Sequence, residues 1–209
     1  MREIIPGVWH WSTHHEPINA PVSSYYVQEA GIVIDPKVPD GGLEALPGRP
    51  QQVVLTSGHH NRDAQKFADA YEIPIRASRE ADAYLEGRLA IEPFGHGDEV
   101  APGVTAIHIG KLAEDEGALH LTAVPGGAIA FADALNRYGG ALGFFADRLL
   151  GPHPDQVKAG LMDSFRGLLT RDFEHLLFAH GEPLIGGGKT ALRKFVESPV
   201  GHQEFGQAR

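Results

Sequence analysis

The feature that most constrains the fold is the order of the predicted elements, because short strands lead into helices in each half of the chain. The first half has strand-like runs at residues 8–11, 23–28, 32–34, 53–55 and 73–75, and a short helical turn at 43–46. Helix-like patterns cover residues 62–71 and 78–86, and Ser78 is the predicted N-cap of the second helix. Residues 32–34 are expected to close a hairpin with the run before them.

The second half repeats this order with longer helices. Strand-like runs lie at residues 104–109, 118–124, 128–132 and 173–179, and helical patterns lie at 156–169 and 189–196. The helix at 156–169 carries one apolar stripe, formed by Val157, Leu161, Phe165 and Leu168. Such elements fit two packed sheets with helices outside, and they also fit a doubly wound α/β sheet. Periodicity alone leaves both arrangements open.

Composition excludes several classes of function. The formal net charge of −9, from 18 Lys+Arg and 27 Asp+Glu, argues against nucleic-acid binding. The chain has no cysteine, which removes disulfides, thiolate ligands and a cysteine nucleophile. Gly188-Lys189 ends like a phosphate-binding loop, but Pro183 stands where that loop needs glycine, so a turn is predicted instead.

The chain is expected to form one domain over residues 1–209, with a core at about 7–196 and a loose tail over 198–209. Its first residues have no apolar signal region, and no run of residues is long and apolar enough for a membrane span. The sequence therefore predicts a soluble, cytoplasmic protein without a membrane partner. It does not define the oligomeric state.

Four segments carry a recognisable set of motifs: Gly31–Asp35, Val54–Arg62, Ala130–Leu135 and Leu177–Gly181. In this order and spacing they resemble strand ends of the metallo-β-lactamase superfamily, and the layout is most similar to glyoxalase II and its relatives, which hydrolyse thioesters. The resemblance extends from about Gly7 to Val196. It implies an α/β (α+β) fold, a four-layer αββα sandwich, with a cleft at the strand ends.

The family's metal-binding motif, T-H-x-H-x-D-H, is only partly kept. Ser57 stands at the first histidine, His59 at the second, Asn61 at the aspartate and Arg62 at the last histidine. Within a residue or two, Lys111 matches a further family histidine. The resemblance therefore implies that most metal ligands have been replaced.

The resemblance implies three remaining ligands: His59, Asp133 and His180. Three ligands suffice for one catalytic metal, such as zinc, iron or manganese, and are too few for two metals. The neighbouring His60, His108 and Asp63 offer substitutes. No cofactor is firmly predicted, and at most one divalent metal is expected.

Each candidate also fits a purely structural role. His59 and His60 fit polar residues of a loop, in which His60 points away from His59. Asp133 fits a turn or helix N-cap, and His180 fits a strand-end turn.

Two functions remain open from the sequence. The first is a hydrolase-like enzyme acting on esters or thioesters with one metal or none. The second is a non-catalytic protein that binds a small ligand or a protein partner in the cleft. In either case, Asp133 needs a counter-charge if it is buried, and we expect Arg62, with Lys111, to reach toward it and replace at least one metal. The alternative is that Arg62 opens its helix and points at solvent.

Overall fold

The computed structural model describes residues 1–198 and 203–205. These residues form the strands β1 (Arg2–Ile5), β2 (Val8–His15), β3 (Ala20–Val27), β4 (Ile32–Ile34), β5 (Gln52–Val54), β6 (Ile75–Ser78), β7 (Glu92–Phe94), β8 (Glu99–Ala101), β9 (Val104–His108), β10 (Gly117–Leu121), β11 (Ala128–Phe131), β12 (Asn136–Tyr138), β13 (Ala141–Phe145), β14 (His175–Phe178) and β15 (Gln203–Phe205). They also form the helices α1 (Ala64–Tyr71), α2 (Asp82–Leu85), α3 (Pro154–Leu168) and α4 (Gly188–Glu197). None of the described helices is long and apolar enough to cross a membrane.

The strands form two large sheets and a small one. The first sheet has the order β1-β2-β3-β4-β5-β6-β7, antiparallel up to β4 and parallel from β4 onward. The second sheet has the order β14-β11-β10-β9-β8, and only β11 and β14 are parallel. The small sheet contains β12, β13 and β15.

The apolar side chains of the two large sheets define four layers. On β4, Ile32 and Ile34 face the second sheet, whereas Val33 faces the side that α1 covers with Phe67. The second sheet behaves in the same way, since Leu177 of β14 lies between the sheets and its neighbour Phe178 packs with the residues of α3 and α4. The order is helix, sheet, sheet, helix, which confirms the predicted αββα sandwich.

The predicted stripe on α3 is also confirmed. Leu161, Phe165 and Leu168 are buried, and Val157 is partly buried against the same cluster. Phe165 meets Phe131 of β11 edge to face, with ring centroids 5.6 Å apart. Burying each such side chain contributes about 1.5–3 kcal/mol, so this face anchors α3 to the second sheet.

Two short elements differ from the sequence prediction. The strand predicted at 73–75 is shifted to Ile75–Ser78, because Ile75 and Arg76 pair with β5. The helix predicted at 78–86 is a 3-10 turn, Arg79–Ala81, followed by the four-residue α2. Ser78 makes no capping hydrogen bond with its side chain.

The segment predicted as a loose tail is only partly described. Residues 203–205 form β15, which pairs in parallel with β13, so the prediction is wrong for these three residues. Residues 199–202 and 206–209 lie outside the described part of the chain.

Candidate functional site

The carboxyl ends of the parallel strands meet along one edge of the sandwich. Asp35 follows β4, the turn Gly58–His60 follows β5, Asp133 follows β11 and His180 follows β14. Open α/β sheets bind ligands at this edge. Here it forms a cleft of about 360 Å³, whose lining includes His60, Asp133 and His180.

Two histidines contact one oxygen of Asp133. His60 Nε2 lies 3.2 Å from Asp133 Oδ1, and His180 Nε2 lies 3.0 Å from the same atom. His60 comes from the first sheet, whereas Asp133 and His180 come from the second. The three ligand atoms lie within 4.8 Å of one another, so the contact joins the two sheets at the floor of the cleft.

The other nitrogen of His60 is held by a second carboxylate. His60 Nδ1 lies 2.9 Å from Asp35 Oδ2. Asp35 is in turn fixed by Thr56, whose backbone N–H and hydroxyl donate to its carboxylate at 2.8 and 2.5 Å. Both nitrogens of His60 therefore face carboxylate oxygens.

This arrangement decides the charges in the cleft. Burial opposes the charged form of His60, but Asp35 and Asp133 outweigh burial and raise the pKa of His60 from 6.5 to about 10. Burial also opposes ionisation of Asp133, yet His60 and His180 hold the pKa of Asp133 well below its usual value. Burial lowers the pKa of His180 despite its contact with Asp133. Without a metal, His60 is a cation and His180 is neutral at pH 7.

Arg62 lines the same cleft but does not take the predicted position against Asp133. One terminal nitrogen, Nη1, donates to the carbonyl oxygens of Ser23 and Asp35, each at 2.7 Å. Nη2 is buried without a hydrogen-bond partner among the described residues. Within the described part of the chain, Arg62 forms no ion pair with Asp133 inside 4.0 Å; the cation that contacts Asp133 is His60.

Lys111 does not line the cleft at all. Its side chain lies against α3, where a Cβ added to Gly160 would come within 2.8 Å of Lys111 Cδ. It borders a separate depression with Glu80, His96 and His108. The expectation that Lys111 reaches toward Asp133 is therefore wrong.

The two adjacent histidines have exchanged their expected places. His60 is buried and points at Asp133, whereas His59 is exposed and its ring lies over Tyr84, with centroids 4.1 Å apart. The reason is local: residues 58–60 form a 3-10 turn, so the alternation of a strand does not continue through them. His59 and Asn61 line the cleft, but they do not belong to the metal-ligand cluster, which consists of His60, Asp133 and His180.

Two neighbouring buried acids hydrogen-bond to the turns that carry His60 and Asp133. Asp115 Oδ2 accepts hydrogen bonds from the Ser57 hydroxyl at 3.0 Å and from the backbone N–H of Gly58 at 2.5 Å. Glu116 Oε1 accepts from the backbone N–H groups of Asp133 and Ala134, at 2.8 and 2.6 Å. Burial and the charge of Asp133 raise the pKa of Glu116 well above its usual value.

Sequence reasoning did not select Asp35, Thr56, Asp115, Glu116 or Tyr84 as site residues. Asp35 had a usable signal, because it directly follows a strand in one of the motif segments. Asp115 and Glu116 lie in a polar stretch with no such marker.

Solved structures of metallo-β-lactamase proteins match most of this chain. A metallo-β-lactamase from Erythrobacter litoralis, with β-mercaptoethanol in its active site, is 16% identical and has a TM-score of 0.65 over 94% of this chain and 95% of its own. The metallo-β-lactamase family protein TTHA1429 from Thermus thermophilus is 17% identical, with a TM-score of 0.61 over 92% and 79%. TTHA1623, in a di-iron-bound form, is 16% identical, with a TM-score of 0.61 over 84% and 94%.

No protein-family model and no curated protein matches the sequence. The structural matches establish that the chain has the metallo-β-lactamase fold.

The donor set in the cleft fits one metal ion. Two imidazoles and one carboxylate are ligands that zinc, iron and manganese accept, and they come from three separate elements beside an open cleft. Metal-binding histidines usually give their second nitrogen to a carboxylate, as His60 does to Asp35. Among the described residues, no second group of three ligands lies close enough for another metal.

Proposed function

We propose that this chain is a hydrolase-like protein that uses a single divalent metal held by His60, Asp133 and His180. The observation that carries the proposal is the convergence of these three ligand atoms within 4.8 Å at the floor of the cleft. TTHA1623, a protein of similar fold, has a di-iron-bound form, which supports metal binding as a function that this fold can carry.

Each ligand residue has a defined part in this proposal. His60 would offer Nε2 and keep its other proton on Nδ1, where Asp35 fixes the tautomer and the ring orientation. His180 would offer Nε2, and Asp133 would offer Oδ1. A bound divalent metal supplies Lewis acidity and lowers the pKa of water toward about 7. The protein would also exclude bulk water from the buried side of the cluster.

We propose a small ester or thioester as the substrate. The cleft volume of about 360 Å³ lies in the range of small-molecule sites. Part of the lining is apolar, formed by Pro17, Ile18 and Val22, and it suits an acyl chain. His59 and Tyr84 add an aromatic part to the same lining.

Metal content is the first test of this function. We expect about one zinc, iron or manganese per chain in purified protein, and one binding event when metal-free protein is titrated. Asp133→Asn should weaken binding strongly, whereas Asp163→Asn, which changes an exposed carboxylate on α3, should not. Metal-loaded parent should then hydrolyse members of an ester and thioester panel. A parent protein that binds no metal contradicts the proposal.

A second function is favoured by one specific observation, the charge balance of the cleft. Two carboxylates, Asp35 and Asp133, are already matched by two cations, His60 and Arg62. A closed balance of this kind suits a metal-free cleft that binds a small ligand without catalysis. This alternative predicts no bound metal and a melting temperature that chelators leave unchanged.

A further inference from the structure

Asp115 and Glu116 are consecutive buried acids whose side chains reach opposite sheets. Asp115 accepts hydrogen bonds from Ser57 and Gly58, on the turn that carries His60. Glu116 accepts from the backbone N–H groups of Asp133 and Ala134, on the turn that carries Asp133. One short segment therefore contacts the turn that carries His60 and the turn that carries Asp133.

The backbone of this segment is itself fixed. The Glu116 carbonyl accepts from the N–H groups of Ile109 and Gly110, at 3.0 and 2.9 Å. Gly117 N–H donates to the carbonyl of Thr56 at 3.0 Å, across the two sheets. A Cβ at Gly117 would lie 3.1 Å from that carbonyl oxygen, so only glycine allows this close approach without a shift. The two acids thus project from a rigid support.

The hydrogen bonds of the two acids go to the turns rather than to the ligand atoms of the cluster. Glu116 Oε1 bonds to the backbone of Asp133, and Asp115 bonds to the start of the turn that ends at His60. Their effect on the cluster must therefore pass through the positions of the two turns.

We propose that Asp115 and Glu116 form a clamp that sets the distance between His60 and Asp133 across the two sheets. Both are positioning residues in this account. Their consequence for metal affinity rests on the proposed function, whereas their consequence for the contact between His60 and Asp133 does not. Together the two residues are the 115–116 clamp.

The test compares substitutions that keep or remove the acceptor oxygen. Glu116→Gln keeps an oxygen that can accept from both N–H groups, and Glu116→Met removes it at similar length. Metal affinity is measured by titration with zinc. We expect Glu116→Met to weaken zinc binding by about 10–100-fold, as loss of outer-shell partners does, and Glu116→Gln to bind like the parent.

A second readout needs no metal. In metal-free protein, both ring N–H protons of His60 should give slowly exchanging NMR signals, because both nitrogens face carboxylates. We expect these signals in the parent and in Glu116→Gln, and their loss in Glu116→Met. If the parent binds no zinc, the proposed function fails while this readout still tests the clamp.

General destabilisation needs a separate control. Leu161→Ala removes buried side-chain volume on α3, and Leu161 does not line the cleft. This variant should have a lower melting temperature but unchanged His60 signals and zinc affinity. If Glu116→Met does not fold, Asp115→Ala and Asp115→Asn make the same comparison. They remove or keep the oxygen that accepts from the turn after β5. Retained His60 signals in the variants without the oxygen, or equal loss in Leu161→Ala, would overturn the proposal.

Discussion

The α3 face and the floor of the cleft are both buried, yet they are built in opposite ways. Against the second sheet, α3 packs Leu161, Phe165 and Leu168 into a cluster of apolar side chains. At the cleft, His60 and its neighbour Asp35 are almost fully buried, and His60 makes ionic contacts with both Asp35 and Asp133. The first region is stabilised by the removal of apolar surface from water, whereas the second depends on the pairing of opposite charges.

This difference determines which substitutions each region tolerates. An apolar cluster accepts another apolar side chain of similar volume at small cost. A charged pair accepts no single replacement, because the remaining charge is left buried without a partner. Substitutions in the two regions should therefore differ in their effect on stability.

Leu161→Asp should have the largest effect. Leu161 is completely buried, and an unpaired carboxylate there costs several kcal/mol, out of a total stability of about 5–15 kcal/mol. We expect the variant to unfold or to lose its cooperative melting transition in a calorimeter. Leu161→Met should cost less than about 1.5 kcal/mol. A Leu161→Asp variant as stable as the parent would refute the assignment of this face.

Asp35→Ala should come next. It removes the partner of His60 Nδ1 and the acceptor for the backbone N–H of Thr56, both in the interior. Breaking one side of a buried ion pair costs about 3–5 kcal/mol, to be measured by urea unfolding of metal-free protein. Asp69→Ala, on the exposed side of α1, is the matched control and should change stability by less than about 0.5 kcal/mol. Equal effects of the two substitutions would remove the contrast between the regions.

The pH dependence of metal-free protein should show the charge of His60. Its pKa is raised to about 10 in the folded state, so its stabilising contribution is complete below pH 6.5 and is lost as pH rises toward 10. His10, with a pKa lowered by burial to about 4, acts in the other direction and destabilises the fold as pH falls from 6.5 toward 4. Each group changes stability by at most about 1.4 kcal/mol per pH unit.

Unfolding free energies measured across this range should therefore fall on both sides of pH 6.5. His60→Gln should remove most of the fall in unfolding free energy above pH 6.5, the alkaline limb, and leave the fall below pH 6.5 in place. An alkaline limb that is unchanged in this variant would show that His60 does not carry the charge.

Substitutions of Arg62 and Lys111 should have the smallest effects on stability, and the effect at Arg62 should be the larger. Arg62→Lys shortens the side chain and places its nitrogen differently, so it should lose about 1 kcal/mol through one of the two bonds that Nη1 makes to carbonyl oxygens. Lys111→Met keeps the contact of the side-chain stem with α3 and should be nearly silent. Thermal melts of the two variants measure the difference, and a larger loss for Lys111→Met would contradict their placement.

The same contrast explains what the sequence could predict. The stripe on α3 and the strands β4 and β14 follow from periodicity, which depends only on neighbours along the chain. The place of His60 depends on a 3-10 turn, which reversed the expected directions of His59 and His60. The partners of Arg62 are carbonyl oxygens, which carry no sequence signal. The 115–116 clamp acts between sheets, and no local pattern marks such contacts.

Zinc titration of metal-free His60→Ala and His59→Ala proteins tests the proposed metal site most directly. These substitutions change adjacent residues of the same type, but only His60 belongs to the cluster with Asp133 and His180. We expect His59→Ala to bind one zinc with the parent's affinity. His60→Ala should bind more than about 100-fold more weakly, beyond the loss of an outer-shell partner. Retained binding in His60→Ala together with lost binding in His59→Ala would contradict the account.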